Sequence, residues 1–382
     1  MMENRLNMKF DKWLLGAVLA LLVLGAFVVY TAGSSVAVQK GLPTSYFLVS
    51  HLKNMALGLV LLALGFIVDH RIWLKLARPL FIASVILLAL VPICGVFSHG
   101  ARRWLSLGFI QIQPSEIGKL ALFLLLSAKL AAAGDDIRTF KVGFIRPMVP
   151  VAIVGGLLLL EPNFSMFALI VAITYVLLFV AGTNVKYLAG TVLTVAPIAG
   201  ILAIIQPYRL ARIEAFIHPE EHLQQKGYQL YHFLLGLGNG GLFGTGIGQG
   251  TQKLGFIPES YKDGAFAVLG EELGFIGSLI VLFLLGFVIY RGFIIAKGAH
   301  TRFAKYLAVA LSTSLFFNIL IHVCVCTGLM PTTGQPLPFI SYGGTSLAVS
   351  LLSIGVLLNI SRPGSGTGIH EEPVTGYSTK AI

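Results

Sequence analysis

Long apolar segments recur along this sequence, and they restrict its fold more than any other feature. A helix of about 20 apolar residues crosses the hydrocarbon core of a bilayer. The sequence therefore predicts an all-α polytopic membrane protein with about ten transmembrane helices. The predicted helices cover residues 13–32, 53–69, 77–95, 115–133, 146–161, 165–183, 186–205, 265–290, 303–328 and 340–360.

Composition supports this class and excludes others. Apolar residues make up 56% of the chain and charged residues 11%, whereas a soluble domain carries roughly 25% charged residues. The net charge of +11 does not indicate nucleic-acid binding, because the sequence has no basic stripe interleaved with aromatic residues. The first apolar segment is longer than the core of a signal peptide, which has about 7–15 residues, so we expect it to remain as a transmembrane helix.

The distribution of cations predicts the orientation. The proposed inner segments hold most of the Lys and Arg residues, whereas the short outer loops hold only Lys40, Lys53, Arg102 and Arg103. Such a bias is the rule for membrane proteins and predicts that both termini are cytoplasmic. One long outer loop, about 206–264, separates the seventh and eighth helices. We expect residues 1–362 to form a single transmembrane domain and the Gly-, Ser- and Thr-rich tail, 363–382, to be disordered.

Glu116 and Lys119 lie three residues apart at the start of the fourth predicted helix, so they share one helical face. Together with Arg102 and Arg103, Lys119 puts three cations near one outer edge of the membrane. This arrangement suggests an anionic partner such as a phosphate. A capped helix with a local ion pair explains Glu116 and Lys119 equally well.

Asp263 lies at the junction between the long outer loop and the eighth helix, next to Lys262. A carboxylate there can act as a general base on a hydroxyl group that reaches it, although most acids at such junctions are simply solvated. Glu271 and Glu272 follow in the same helix. We expect them to pair with a cation of a neighbouring helix, because an unpaired carboxylate in the membrane is costly.

Two segments are too irregular for a regular helix. Residues 238–250 read GNGGLFGTGIGQG, and glycines permit tight turns and close approach of the backbone. Residues 328–344 are rich in proline and glycine, which excludes a regular helix there. Irregular backbone at membrane depth must be buried in protein or line a cavity, so we expect this second segment to have a fixed shape.

Four segments together resemble the SEDS family (shape, elongation, division and sporulation proteins). The motifs occur in the family's order and span nearly the whole chain. The GARRWL element at 100–105 looks more like the division members than the elongation members. The four segments are residues 100–104 (GARRW) with 113–119 (QPSEIGK), 240–252 (GGLFGTGIGQGTQ), 257–275 (IPESYKDGAFAVLGEELGF) and 328–346 (GLMPTTGQPLPFISYGGTS).

The resemblance implies a peptidoglycan glycosyltransferase of the bacterial plasma (inner) membrane. Such proteins polymerise lipid II, a disaccharide-pentapeptide on an undecaprenyl pyrophosphate carrier. They work beside a class B penicillin-binding protein, which crosslinks the peptides, and with other division or elongation proteins.

The resemblance also implies roles for individual residues. Asp263 aligns with the family's catalytic aspartate, which would act as general base on the 4-hydroxyl of the acceptor sugar. Arg103 and Lys119 are candidates to stabilise the leaving pyrophosphate, with Glu116 orienting Lys119. The one cofactor that this chemistry suggests is a divalent cation, Mg²⁺ or Mn²⁺, bound to the pyrophosphate. The sequence contains no dedicated cluster of metal ligands for it. The further substrate-binding candidates are Arg102, Gln249, Glu259 and Ser341.

The chain departs from the family pattern around this proposed site. Asn163 stands where the family has an acid, Lys262 where threonine is typical and Gly264 where phenylalanine is typical. These departures keep open an inactive scaffold that recruits the penicillin-binding protein. A lipid II flippase is the other alternative, but a transporter should carry charged residues near the bilayer midplane. The charges here lie mainly at the outer edge.

Overall fold

The structure is a computed structural model, and it describes residues 10–98, 101–106, 108, 111–193, 214, 216–217, 227–257 and 259–363. Helices dominate these ranges. In chain order they are α1 (Lys12–Gln39), α2 (Tyr46–Ile67), α3 (His70–Cys94), α4 (Pro114–Ala133), α5 (Arg146–Leu160), α6 (Phe164–Ala181), α7 (Gly227–Gly240), α8 (Ala265–Lys297), α9 (Arg302–Cys326) and α10 (Thr345–Ile360).

The prediction of a polytopic helical membrane protein is confirmed. Eight helices in the described part of the chain are long and apolar enough to cross a membrane, namely α1 to α6, α8 and α9. Each coincides with a predicted helix. Helix α10 is shorter than the helix predicted over residues 340–360, because it begins only at Thr345. The predicted helix 186–205 begins as a helix over residues 185–193, and the rest of it lies outside the described residues.

A small antiparallel sheet lies between α3 and α4, which the sequence analysis did not predict. Its strands are β1 (Val96–Ser98), β2 (Ala101–Ser106) and β3 (Gln111–Ile112), with β2 in the centre. The register pairs Phe97 with Arg102 and Leu105 with Ile112. Successive side chains of a strand point to opposite faces, so Arg102 and Arg103 on β2 are directed apart.

Helices α4 and α9 are the most buried spans and form the centre of the bundle. Helix α10 packs closely on α2 through glycines. A Cβ atom at Gly65 would lie 2.8 Å from the carbonyl oxygen of Leu352, and Gly355 lies against the backbone of Leu62. Small residues permit such close helix contacts within a membrane, where the hydrophobic effect does not drive helices together.

The segment between α9 and α10 enters the protein interior. Leu337, Phe339 and Ile340 are almost completely buried. A Cβ atom at Gly25, near the middle of α1, would lie 2.9 Å from the Cα atom of Ile340. Of the two environments expected for this irregular backbone, burial in protein or the lining of a cavity, these residues show the first. Because the chain re-enters to this depth, α10 starts well inside the bundle.

Helix α8 is broken at Gly274, whereas one continuous helix was predicted for residues 265–290. Gly274 has φ 70° and ψ −169°, a conformation that essentially only glycine adopts. The break frees backbone groups that need partners, and the glycine-rich segment after α7 supplies them. The hydrogen bonds run from Thr245 N to Glu271 O, Gly246 N to Glu272 O, Phe275 N to Gly241 O and Ile276 N to Leu242 O, at 2.9–3.1 Å.

Candidate active site

Asp263 lies in a tight turn immediately before α8. The backbone amides of Lys262 and Asp263 both donate to the carbonyl oxygen of Glu259, at 2.8 and 3.1 Å. The Asp263 carboxylate faces the segment between α9 and α10, since its Oδ2 lies 3.6 Å from the position that a Cβ atom on Gly334 would take. Its backbone carbonyl lies beside the thiol of Cys326, at 3.8 Å. The carboxylate is therefore held at the end of α9 that leads into the re-entrant segment.

Lys262 adds a positive charge next to Asp263. Its Nζ lies 3.0 Å from Oε2 of Glu259, and the two side chains are 29% and 31% exposed. Burial opposes the charge on Lys262, but the neighbouring carboxylates Asp263 and Glu259 outweigh burial and raise the pKa of this lysine. The ammonium group is therefore charged at neutral pH. A positive neighbour favours the ionised form of a carboxylate, which is the form that a base requires.

Aromatic side chains fix this turn to the bundle. The ring of Tyr261 packs on Phe47 of α2 with 4.2 Å between centroids, and on Tyr342 with 5.4 Å. The amide of Tyr342 donates to the carbonyl oxygen of Tyr261 at 2.9 Å, and its hydroxyl lies 2.8 Å from that of Ser50. Burial raises the pKa of Tyr261, so its phenol stays neutral. The turn that carries Asp263 is thus attached both to α2 and to the re-entrant segment.

Glu116 and Lys119 form a buried ion pair at the start of α4. Lys119 Nζ lies 2.8 Å from Glu116 Oε2, and the side chains are 5% and 3% exposed. Lys119 also lines a small cavity with Asn318 of α9 and Ser350 of α10. Asn318 and Cys326 are eight residues apart on α9, which corresponds to about 12 Å along the helix axis. Lys119 therefore lies deeper in the bundle than the turn that carries Asp263.

The two adjacent arginines of β2 have different partners. Arg102 is exposed, and its Nη1 donates to the carbonyl oxygens of Pro92 and Ile93 at 3.0 and 3.1 Å. It thus satisfies carbonyls that the C-terminal end of α3 leaves open. Arg103 is half-buried, and its Nη2 donates to the carbonyl oxygen of Pro162 at 2.6 Å. Only Arg103 reaches the short connection between α5 and α6.

That connection carries two buried polar side chains. Glu161 is 1% exposed and Asn163 is 5% exposed. Burial raises the pKa of Glu161 to about 8, although the positive charge of Arg103 opposes the shift. Glu161 was not among the site residues predicted from the sequence. The signal was present, because Glu161 is the single charged residue between Arg146 and Lys186.

The two carboxylates at the break of α8 are structural. Glu271 accepts from the backbone amides of Thr251 and Gln252 at 2.9–3.3 Å. Glu272 pairs with Lys253, whose Nζ lies 2.5 Å from Oε1. The expected pairing is therefore found for Glu272, but its cation comes from the end of the glycine-rich segment and not from a neighbouring helix. Both acids attach that segment to α8.

Two other substrate-binding candidates, Gln249 and Ser341, have surroundings different from those of the charged groups described above. Gln249 is exposed in the glycine-rich segment, where its amide donates to the carbonyl oxygen of Gly246 at 3.0 Å. Ser341 is 3% exposed, and its hydroxyl accepts from the amide of Leu337 at 2.9 Å. Ser341 thus stabilises a buried turn of the re-entrant segment.

Among the residues that the structure describes, no group of three or more His, Cys, Asp or Glu side chains is arranged to hold a metal ion. A divalent cation at this site would take one or two carboxylates from the protein and most other ligands from water and substrate phosphates. Glu161 is the described carboxylate beside Arg103, but its positive neighbour makes the position unfavourable for a second cation.

Comparisons with known proteins identify the family. A family model described as a cell cycle protein, covering FtsW, RodA and SpoVE, matches residues 12–365. The probable peptidoglycan glycosyltransferase FtsW of Legionella pneumophila is 37% identical over 371 residues, which is 96% of this chain and 94% of that protein. The protein of the same name from Coxiella burnetii is 38% identical over 365 residues, which is 94% of this chain and 98% of that protein.

Solved structures of related proteins have the same fold as this chain. A chain described under "Structural coordination of polymerization and crosslinking by a peptidoglycan synthase complex" is similar with a TM-score of 0.77 and 29% identity, over 92% of this chain and 97% of that chain. The rod shape determining protein RodA of Thermus thermophilus is similar with a TM-score of 0.70 and 28% identity, over 94% and 98%. The resemblance to the SEDS family is thereby confirmed, and the chain belongs to the FtsW, RodA and SpoVE family of cell cycle proteins.

Proposed function

We propose that this chain is a peptidoglycan glycosyltransferase that polymerises lipid II into glycan strands. The strands would serve septal cell-wall synthesis, with lateral synthesis as the alternative. The curated relatives named above carry the name FtsW and the description probable peptidoglycan glycosyltransferase. The observation that carries the proposal for this chain is the turn before α8. It holds the carboxylate of Asp263 beside the charged ammonium of Lys262 and against Gly334.

In the proposed reaction Asp263 acts as the general base. Its carboxylate accepts the proton of the 4-hydroxyl group on the acceptor sugar, and the hydroxyl oxygen attacks the anomeric carbon of the donor. The bond from that carbon to the diphosphate oxygen breaks, so the configuration inverts and the electron pair leaves with the diphosphate. Asp263 then releases the proton to water. Lys262 favours the ionised carboxylate at the start of this cycle.

The leaving diphosphate needs stabilisation of charge more than it needs an acid. Arg103 and Lys119 are the proposed cations. Glu116 holds Lys119 through the 2.8 Å ion pair and thereby fixes the position of its ammonium. A divalent cation, Mg²⁺ or Mn²⁺, bound mainly by the diphosphate itself would supply further charge stabilisation. We propose weaker, peripheral substrate contacts for Gln249 and Glu259, and indirect roles through the backbone for Arg102 and Ser341.

The partner and location follow the same proposal. One structural neighbour belongs to a peptidoglycan synthase complex that coordinates polymerization and crosslinking. We therefore propose a class B penicillin-binding protein as the partner of this chain, with other division or elongation proteins around it. The chain is a multi-pass membrane protein, and we propose the bacterial inner membrane, cytoplasmic termini, a single domain over 1–362 and a cytoplasmic tail over 363–382.

A second candidate is an inactive scaffold, which the departures at Asn163, Lys262 and Gly264 favour. The packing around Gly264 weakens this alternative. A Cβ atom there would lie 2.6 Å from Ile257 and 2.9 Å from the ring of Phe233, and Phe233 is completely buried. The ring of Phe233 thus occupies space that a phenylalanine at 264 would need. The core beside the proposed base is filled and the departure is accommodated by packing.

The test is lipid II polymerisation by the purified full-length chain, alone and with its cognate transpeptidase. We expect glycan strands from the wild type and none from Asp263→Asn, with the variant eluting as a monodisperse folded protein. The variant keeps the shape of the side chain and removes the base. If the wild type makes no glycan strands in the presence of the partner, the proposed enzymatic activity is rejected and the scaffold is favoured. Equal activity of both proteins would reject Asp263 as the base.

A further inference from the structure

A cluster of cations lies at the end of the bundle opposite to the candidate active site. The turn that carries Asp263 packs through Tyr261 on Phe47, in the first turn of α2. Helix α2 ends at the other face of the membrane, where α3 begins. The cluster lies toward this second face and is separate from the site described above. It consists of Arg78 on α3, Lys129 on α4 and Arg146 at the start of α5.

The contact between α3 and α4 places Arg78 and Lys129 at the same depth. A Cβ atom at Gly118 of α4 would lie 2.8 Å from Cδ1 of Leu88 on α3. Going toward the second face, Arg78 follows Leu88 by about 15 Å along α3, and Lys129 follows Gly118 by about 16 Å along α4. The step from Gly118 to Lys129 corresponds to about three helical turns. Lys129 therefore lies on the face of α4 that contacts α3.

Lys129 has no counter-charge in the described part of the chain. Its side chain is half-buried, about 6 Å before the end of a membrane-spanning helix, and its ammonium group forms no ion pair there. The charged groups that act on this ammonium, Arg78 and Arg146, are both positive. The nearest acids in sequence, Asp135 and Asp136, are exposed in the turn after α4. A charge at membrane depth usually has a partner, so an anion from outside the chain is indicated.

The general excess of Lys and Arg on the inner face of membrane proteins does not explain this cluster. That rule accounts for exposed cations at helix ends, such as Lys75 and Lys297. Lys129 is instead half-buried on a face that meets another helix, with two further cations beside it. Like charges that converge from three helices repel each other. An anion held between them removes this repulsion.

Apolar side chains extend from the cluster toward the middle of the membrane. Helices α3 and α5 are in contact, and both run from the cluster toward the face that carries the small sheet. On each helix, exposed isoleucine or valine residues follow the arginine at spacings of three or four, which keeps them on its face. They are Ile82 and Ile86 after Arg78, and Val149 and Ile153 after Arg146. A cationic end thus continues into an apolar surface, which matches a headgroup followed by acyl chains.

We propose that Arg78, Lys129 and Arg146 bind the phosphate headgroup of an anionic glycerophospholipid, whose acyl chains lie along the exposed apolar faces of α3 and α5. Basic pockets between transmembrane helices bind such headgroups on the cytoplasmic side of other membrane proteins. The arginines offer planar forks of N–H donors to the phosphate, and the lysine offers a point charge. In the orientation proposed above, this lipid belongs to the inner leaflet.

The experiment measures lipid binding by the purified full-length chain in a non-ionic detergent. Phosphatidylglycerol or phosphatidylcholine with the same acyl chains is added, and native mass spectrometry counts the bound lipids. We expect the wild type to prefer phosphatidylglycerol by at least about tenfold. Lys129→Met should lower this preference about fivefold, which is the contribution of one cation near an anionic lipid. Lys129→Arg keeps the charge and should keep the preference.

Lys297→Met is the matched control. Lys297 is an exposed lysine in the last turn of α8, and α8 begins at the Asp263 turn and ends on the face of the cluster. We expect less than a twofold change for this variant. Arg78→Gln, at an exposed position, should reproduce the loss seen with Lys129→Met, and it decides alone if Lys129→Met does not fold. Thermal unfolding is the second readout, since phosphatidylglycerol should stabilise the wild type more than either test variant.

Three results would overturn the proposal: equal binding of the two lipids by the wild type, an unchanged preference in the test variants, or an equal loss with Lys297→Met. Inorganic phosphate at millimolar concentration separates the two sources of phosphate. We expect it to leave the bound phosphatidylglycerol in place, because the acyl chains contribute to binding. Displacement would show that the cluster takes a free anion and that the assignment to a lipid is wrong. Polymerisation plays no part in this test, so its outcome is independent of the proposed function.

Discussion

Replacing one member of the buried Glu116–Lys119 pair leaves the other charge without a partner inside the bundle. At the observed separation of 2.8 Å, the direct attraction is on the order of 6 kcal/mol at an effective dielectric constant of about 20. Part of this attraction offsets the cost of removing both charges from water. Loss of one partner from a buried pair therefore costs about 3–5 kcal/mol, whereas replacement of both by apolar side chains is nearly neutral. We expect Glu116→Leu and Lys119→Met each to destabilise the chain by that amount, and the double variant to be close to the wild type.

The assay is a double-mutant cycle with two readouts. Unfolding in a denaturing detergent series measures stability, and lipid II polymerisation with the cognate transpeptidase measures activity. If Lys119 acts on the diphosphate, the double variant regains stability but remains inactive. If the pair is only a structural element of α4, the double variant regains both. Additive losses of stability in the double variant would refute the buried-pair reasoning, since independent sites add and coupled sites do not.

Three further outcomes follow from positions described above. Gly274→Ala should destabilise the chain by about 1–3 kcal/mol through backbone strain alone, and by more through its contacts with the glycine-rich segment. Gly286→Ala in the same helix is the control, because a Cβ atom there meets nothing within 4 Å. It should change the stability little in the same unfolding assay. Lys262→Thr should move the acid limb of the pH–rate profile for polymerisation to higher pH, because Asp263 loses a positive neighbour; an unmoved limb would exclude that influence. Burial raises the pKa of Glu161 from 4.5 to about 8, so this acid is protonated in the folded chain and ionised in the unfolded chain between those values. Stability should therefore fall as the pH rises through that window, by on the order of 5 kcal/mol at most, and Glu161→Gln should remove the fall.

Segment length and spacing were sufficient to predict much of this molecule. Apolar length identifies the spans, because it reflects a single requirement, the thickness of the hydrocarbon core. The spacing of three residues predicts the contact of Glu116 with Lys119, since residues i and i+3 are neighbours on a helix. The proline- and glycine-rich segment before α10 was correctly expected to be shielded from lipid, because unsatisfied backbone groups are excluded from lipid.

Features that depend on contacts between distant segments were not predictable in this way. Arg102 and Arg103 look equivalent in sequence, but strand geometry directs them to different partners, and the short strands gave no pattern of their own. Gly274 resembles any other glycine in an apolar run, and its conformation follows from the backbone partners that the glycine-rich segment offers. The partner of Glu272 is Lys253, 19 residues earlier, and no helical or strand period links two such positions.

The short helix α10 has a consequence for how the chain is made. The 16 residues of α10 extend about 24 Å, less than the hydrocarbon thickness of about 30 Å, and nearly all of them are buried. Helices of membrane proteins are usually thought to insert one by one and then to associate. Helix α10 is poorly suited to the first of these steps, because it is short and most of its surface is covered by other helices, chiefly α2. Stable insertion of α10 therefore depends on docking against α2, and substitutions at the α2 glycines should reduce the amount of mature protein in the membrane before they reduce the activity of each molecule.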